Sequence, residues 1–165
     1  FPTTPVLQSG SARPRGRALV KTYFDTSALV PMYIRDERSE KVQRWLRAYA
    51  AAIVVTPLHL HELHNAIRLC QFWGHLTAAH AAEVARQIAS DEREGKLVPV
   101  IPPWAAVYAA GQRLIAEHTP LVGARSLDIL HVASALVLAA QDFCSFDDRQ
   151  RKLAEAAGLH VRPAA

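Results

Sequence analysis

Four acidic residues lie far apart along the chain, yet each stands where a folded backbone could bring it to a common rim: Asp25, Glu62, Asp128 and Asp147. Asp25 directly follows the β-prone run Leu19-Val-Lys-Thr-Tyr-Phe, and Asp147 directly follows Phe143-Cys-Ser-Phe. In an open parallel sheet, sites form at the carboxyl ends of the strands, which is where both fall. Asp128 lies in the first turn of a predicted helix and so faces the same rim. Glu62 shares a stripe with Leu58, Ala66 and Leu69 at helical spacing. A carboxylate in an apolar stripe must be paired, hydrated or bound to metal. Carboxylates gathered in one pocket repel one another, so without a cation at least one takes up a proton. A hard divalent ion resolves the conflict with oxygen ligands, keeps several waters and lowers the pKa of a bound water.

Each acid also has a plainer reading. Asp25-Thr-Ser is a good N-cap string, Asp128 is favoured by the helix dipole, and Asp147-Asp148 can cap a turn. Glu62 would be exposed if the stripe were displaced by one residue. Taken singly, the plainer reading is the commoner one; taken together, four such accounts must hold at once.

The elements that must position these residues read as strands alternating with helices. Strands are predicted at Leu19 to Phe24, Ile53 to Val55, Leu97 to Ile101, Phe143 to Phe146 and Leu159 to Val161. Helices are predicted to Tyr33, with Pro31 limiting the length, and from Ser39 to Ala52. Thr56 as cap and Pro57 at the first position open a helix to Trp73. Others run from Thr77 to Glu94, closed by Gly95, from Trp104 to His118, from a Ser126 cap to Ala140, and from Asp148 to Ala157. The alternation implies an α/β fold of three layers, α/β/α, around a mostly parallel sheet of four to five strands. Residues 1–18, rich in Pro, Ser, Thr and Arg (Arg13, Arg15 and Arg17 among them), read as a flexible arm; residues 19–165 read as one domain.

Half of the 165 residues are hydrophobic and 21% are charged, which fits a compact domain. No apolar run approaches the roughly 20 residues a membrane helix needs, and no secretion signal is legible; a soluble cytoplasmic protein is expected. Cys70 and Cys144 have no CxxC neighbour, so free thiols are expected. The net charge is +4 and the pI about 9.4, a balance that suits a polyanionic partner. His59-Leu-His61-Glu62-Leu-His64 looks metal-like, but the zinc-protease pattern needs histidine where Asn65 stands. His131, one turn from Asp128, either hydrogen-bonds within the site or simply packs. No Walker loop, Gly-x-Gly-x-x-Gly or Gly-x-Ser-x-Gly occurs. The Asp-x-Asp of aspartate-nucleophile phosphatases is broken by Ser27.

The segment Tyr23-Phe-Asp-Thr-Ser-Ala-Leu-Val30 resembles the first motif of the PIN domain, in particular of VapC-like toxins of bacterial toxin–antitoxin pairs. Arg125-Ser-Leu-Asp128-Ile-Leu-His131 resembles that family's helix bearing the third acid, and Phe143-Cys-Ser145-Phe-Asp147 its last motif; Glu62 matches by its Glu-x-x-Asn-Ala context. The resemblance spans about Val20 to Val161 and departs at Asp148, where a basic or small residue is usual. It implies a Mg²⁺- or Mn²⁺-dependent endoribonuclease with Asp25, Glu62, Asp128 and Asp147 as its acids. Asp25, Asp128 and Asp147 are then the candidate metal ligands, with Asp25 and Asp147 direct and Glu62 or Asp128 positioning or deprotonating the water. Ser27 and Ser145 map to hydroxyl positions that orient the acids. Arg125, Arg149 and Lys152, and more remotely Arg35, Arg38 and Arg68, are candidates for flanking phosphates. A cognate antitoxin and a homodimer, with Trp45, Trp73 and Trp104 as candidate contacts, are further implied. The alternatives are a PIN-like module that binds RNA or a partner without turnover, and a housekeeping PIN nuclease.

Overall fold

The computed structural model describes residues 20–35, 39–49 and 51–163, and the side chains of all of these except residues 41 and 45–48. The expected arm with its three arginines, Arg38, and the side chain of Trp45 lie outside the described residues. From the amino end, β1 (Thr22–Phe24) leads into α1 (Thr26–Tyr33) and α2 (Ser39–Ala48). Next, β2 (Ile53–Val55) leads into α3 (Pro57–Phe72) and α4 (Ala78–Arg93), and β3 (Leu97–Pro99) precedes α5 (Trp104–Val122) and α6 (Ser126–Val137). The last elements are β4 (Asp142–Cys144), α7 (Asp148–Ala156) and β5 (His160–Arg162).

All strand pairs are parallel, as the alternation predicted, but they form two sheets: β1-β4-β5 and β2-β3. β1 and β2 lie side by side without sharing a ladder. The three layers follow from the period of two along a strand. Tyr23 and Phe143, paired across β1 and β4, enter one core with Val107 and Leu114 of α5, Ile129 and Val132 of α6 and Leu153 of α7. Their neighbours Phe24 and Cys144 enter the other, with Leu29 of α1, Leu63 and Ile67 of α3, and Ile88 of α4. Tyr23 and Phe143 stack at 5.7 Å and are fully buried, each contributing roughly 1.5–3 kcal/mol by burial.

Several element ends differ from the sequence reading. β1, β3 and β4 are shorter, β5 is shifted by one residue, β2 has the expected bounds, and α2 stops at Ala48. α5 continues through Thr119-Pro120 to Val122, where a loop was expected. Pro120 removes a single intrahelical bond near the end of the helix. Val122 packs against the core, and Gly123, at φ 67°, takes the left-handed turn that ends the helix. Ser126 is the first helical residue rather than the cap, and the helix ends at Val137, not Ala140. Thr56 and Thr77 do cap as expected. Cys144 is buried and Cys70 partly buried, and both are free thiols. Among the described residues no helix is long and apolar enough to cross a membrane.

Candidate active site

Asp25 stands at the carboxyl end of β1 with no exposed surface. Its amide donates to the Cys144 carbonyl of the adjacent strand at 3.0 Å. Its side chain caps α1, Oδ1 accepting from the Ala28 amide at 3.0 Å and from the Ser27 hydroxyl at 2.7 Å. The Ser145 hydroxyl donates to Oδ2 at 2.6 Å. Burial pushes the Asp25 carboxyl up to about 6, against the opposing pull of those hydroxyls and of His131. Both expected hydroxyl residues therefore hold this carboxylate. Each also accepts a backbone amide: Phe146 N to Ser27 at 2.8 Å and Asp147 N to Ser145 at 3.0 Å. The loop after β4 is thereby tied to the carboxylate after β1.

Glu62 lies on the half-buried stripe of α3, with Leu63 and Ile67 rather than Ala66 and Leu69 forming the core face. Its Oε2 accepts from the Thr26 hydroxyl and from His131 Nε2, each at 2.5 Å. Burial raises the Glu62 carboxyl, but the bonds from His131 and Thr26 outweigh it and hold the group below its ordinary value. His131 is fully buried in α6, and its Nδ1 lies 3.0 Å from the Tyr23 hydroxyl. Beside it, the His59 ring stands 4.9 Å from His131 and 4.7 Å from Tyr23. The Thr56 amide donates to His59 Nδ1 at 2.9 Å, so Nε2 carries the proton and donates to the Phe24 carbonyl at 2.5 Å. Burial keeps His59 neutral, well below the usual imidazole range.

Asp147 caps α7, its Oδ1 accepting from the Arg149 and Gln150 amides at 2.9 and 3.0 Å. Asp128 is buried, and its Oδ2 reaches back to the Arg125 amide at 2.9 Å. Ser145 ties the Asp25 carboxylate to the backbone that carries Asp147, and Glu62 bonds to Thr26, the residue after Asp25. Asp128 stands outside that chain of bonds and serves its own helix start. Among the described residues, no three His, Cys, Asp or Glu side chains stand close enough to hold a metal ion as they are.

An open cleft of about 330 Å³ is lined by Glu62 and Asp147, by Thr26 and Ser27, by His61, Asn65 and Gln150, and by the apolar Val30, Ala66, Leu69 and Leu127. Three helix starts meet there: Thr26 and Ser27 open α1, Leu127 opens α6, and Asp147 and Gln150 open α7. Helix amino ends carry partial positive charge; at α1 and α7 it is met by the capping carboxylates of Asp25 and Asp147. Arg125 and Lys152 are exposed and Arg149 half-buried, and none of the three lines the cleft. Arg68 bonds to Gln71 on the surface of α3, and Arg35 is exposed.

Thr26, Tyr23 and His59 were not singled out by the sequence for roles here. Thr26 sits beside Asp25, and His59 stands three residues after the Thr56 cap, at capping-box spacing; the histidine run drew attention only as a false zinc motif. His61 and His64 are exposed, while His59 is buried. Arg151, also unremarked in the sequence, donates to the Ser145, Arg162 and Pro163 carbonyls at 2.9, 3.2 and 3.0 Å and fixes the turn that carries Ser145.

Among solved structures, the chain is similar to VapC20 of Mycobacterium tuberculosis, described as a sarcin–ricin loop cleaving toxin. The two are 14% identical over 84% of this chain and 95% of that one, with a TM-score of 0.61. PAE2754 of Pyrobaculum aerophilum is 17% identical over 97% of this chain and 92% of its own, with a TM-score of 0.60. FitAcB of Neisseria gonorrhoeae is 18% identical over 85% and 95%, with a TM-score of 0.55. At these identities the likeness is one of fold. No curated protein matches the chain. A family model described as PIN domain matches residues 22–156, a stretch that runs from the first strand to the last helix and contains every acid discussed above. With the strand-end aspartate, the parallel strands and the acid-lined cleft already in place, that match settles the kinship: this chain belongs to the PIN domain family.

Proposed function

We propose that this PIN-domain chain is a divalent-cation-dependent endoribonuclease, the toxin half of a toxin–antitoxin pair. The observation that carries the reading is the state of Asp25. A fully buried carboxylate at a strand end is held by hydroxyls, and among the described residues no Lys or Arg pairs with it, with Glu62 or with Asp147. A buried charge left without a basic partner is costly, and a cation from solution supplies what the chain omits. The donors are all oxygen, which suits a hard ion such as Mg²⁺ or Mn²⁺ over zinc. Because no three acids converge as they stand, an ion that keeps part of its water shell fits best. Asp25 and Asp147 are the proposed holders, and Asp128 is a supporting acid at the start of α6. When bound, such an ion neutralises charge on the phosphate and lowers the pKa of a water.

The chain's own groups divide the remaining work. The amino end of α6, whose Leu127 lines the cleft, offers its dipole to the RNA phosphate. Ser27 and Ser145 fix both Asp25 oxygens. Glu62, held ionised by Thr26 and His131 with its carboxyl below its ordinary value, is placed to orient the attacking water. Leu69 and Leu127 offer an apolar wall to a ribose or base. Arg125, Arg149 and Lys152, set back from the cleft, are proposed contacts for phosphates further along the strand.

The fold neighbour described as a sarcin–ricin loop cleaving toxin supports the choice of RNA. An antitoxin segment is proposed to cover the cleft wall of Leu69 and Leu127, with the exposed Phe72 (83%) at the end of the same helix as Leu69, and would bring a cation to the acids. A homodimer is proposed as well. Trp73, 58% exposed, is available to either contact, while Trp104 packs against the core. The separation of the acids also favours a second reading, a PIN-like module that holds RNA or a partner without turnover. Incubation of antitoxin-free protein with total RNA, in Mg²⁺ or Mn²⁺ and in EDTA, followed by mapping of new 5′ ends, decides between them. Cleavage abolished by EDTA and by D25N is expected; intact RNA under both metals rules the nuclease out.

A further inference from the structure

We infer that His131 is a positioning residue for Glu62, keyed in one tautomer by Tyr23; the inference rests on the nuclease reading given above. Glu62 comes from α3 and lines an open cleft, and a glutamate there has three rotatable bonds to lose. Its Oε2 is met by two donors from other elements, the Thr26 hydroxyl of α1 and the His131 ring of α6. An ionised carboxylate accepts only, so the proton shared with it sits on His131 Nε2. In the neutral ring Nδ1 is then an acceptor, and the group facing it is the Tyr23 hydroxyl at 3.0 Å. A phenol is protonated at neutral pH and has an O–H to donate. With a neutral ring the order runs from the Tyr23 O–H to Nδ1 and from Nε2–H to Glu62.

The Thr26 hydroxyl also lies 3.3 Å from His131 Nε2, with its own proton given to Glu62. His131 and Tyr23 are completely buried, and His59 fills the space beside both rings while its own two nitrogens are committed to Thr56 and Phe24. His131 does not reach the cleft lining, whereas Glu62 does. The histidine therefore acts through Glu62, not on substrate.

The test is a kinetic and spectroscopic series on the full chain. In H131L, kcat falls about ten- to hundredfold, the usual cost of losing a group that orients a site ligand, while KM for RNA stays within about twofold. H131Q, which returns an N–H at a similar reach, recovers most of the rate. Y23F leaves Nδ1 without a donor, frees the tautomer and lowers kcat by a smaller factor with folding intact. On an E62A background, H131L has no further effect on rate, since the two act as one unit. ¹⁵N resonances of the wild-type His131 ring show a protonated Nε2. Equal turnover of H131L and wild type per folded molecule, an undiminished H131L effect in E62A, or a bare Nε2 overturns the inference. A wild type that cleaves no RNA sinks the nuclease reading instead, and the ring resonances still decide whether His131 holds Glu62.

Discussion

The acids of this domain are held in two ways. Asp25, besides capping its own helix, and Glu62 are gripped by side chains from distant elements: Ser145 lies 120 residues from Asp25 in the chain, and His131 lies 69 from Glu62. Asp128 and Asp147 are gripped by backbone amides of their own helix starts, within three residues. The first pair exists as a pair only in the finished fold. The second would be oriented by any helix that began there. Donors imported from elsewhere mark a carboxylate whose position matters to something other than the local turn, and the burial of Asp25 sharpens the contrast, since its charge is kept where water would not keep it.

The largest effect that tests this contrast is at Asp25. D25N is expected to lower cleavage by roughly a thousandfold or more, yet to stabilise the fold. The Asp25 carboxyl is raised from 3.8 to about 6 by burial, so the folded protein binds the proton more tightly than the unfolded chain. Stability then falls as pH rises from about 4 through about 6 and stays lower above that, by on the order of 3 kcal/mol or less. In EDTA at pH 7.5, D25N should therefore melt higher than wild type, the gain fading towards pH 4. A lower melting point for D25N at neutral pH would remove the case for an uncompensated charge.

E62Q comes next, with a loss of roughly a hundredfold in kcat and little change in melting, since an amide keeps the contact to Thr26. D147N and D128N divide the capping pair. Asn caps nearly as well as Asp, so neither should melt much lower. D147N, on the cleft, is expected to lose roughly tenfold or more in rate, and D128N less. If D128N is as damaging as D25N, the distinction between gripped and capping acids collapses. Smallest are R125A and K152A, each changing KM by about threefold or less, measured by the salt dependence of cleavage.

The parts of the molecule that depend on neighbours in sequence were legible in it. Thr56-Pro57 and Thr77 announce helix starts because capping uses groups two or three residues away, and the period of two in Tyr23-Phe24 and Phe143-Cys144 separates two cores. The places of the four acids, at strand ends and on helices, could also be read in advance. Their partners could not: Thr26 beside Asp25 gives no local hint that its hydroxyl serves Glu62 across 36 residues, and His131 on an apolar helix face reads equally well as core. The break between the sheets was hidden for the same reason, since strand pairing is a contest among distant segments that periodicity does not adjudicate. Pro120 misled through a rule that holds in helix interiors and relaxes in a last turn whose far end packs against the core.

That break has a mechanical meaning. Glu62 is carried by the half built on β2 and β3, while Asp25 and Asp147 ride on hydrogen-bonded neighbours in the other half, β1 and β4. Where a ladder would have stitched β1 to β2, the imidazole of His59 reaches over to the Phe24 carbonyl, one residue before Asp25. The seam and the acids are thus the same place: the His59 ring, with the Thr26 and His131 bonds to Glu62, ties the half that carries Glu62 to the half that carries Asp25 and Asp147.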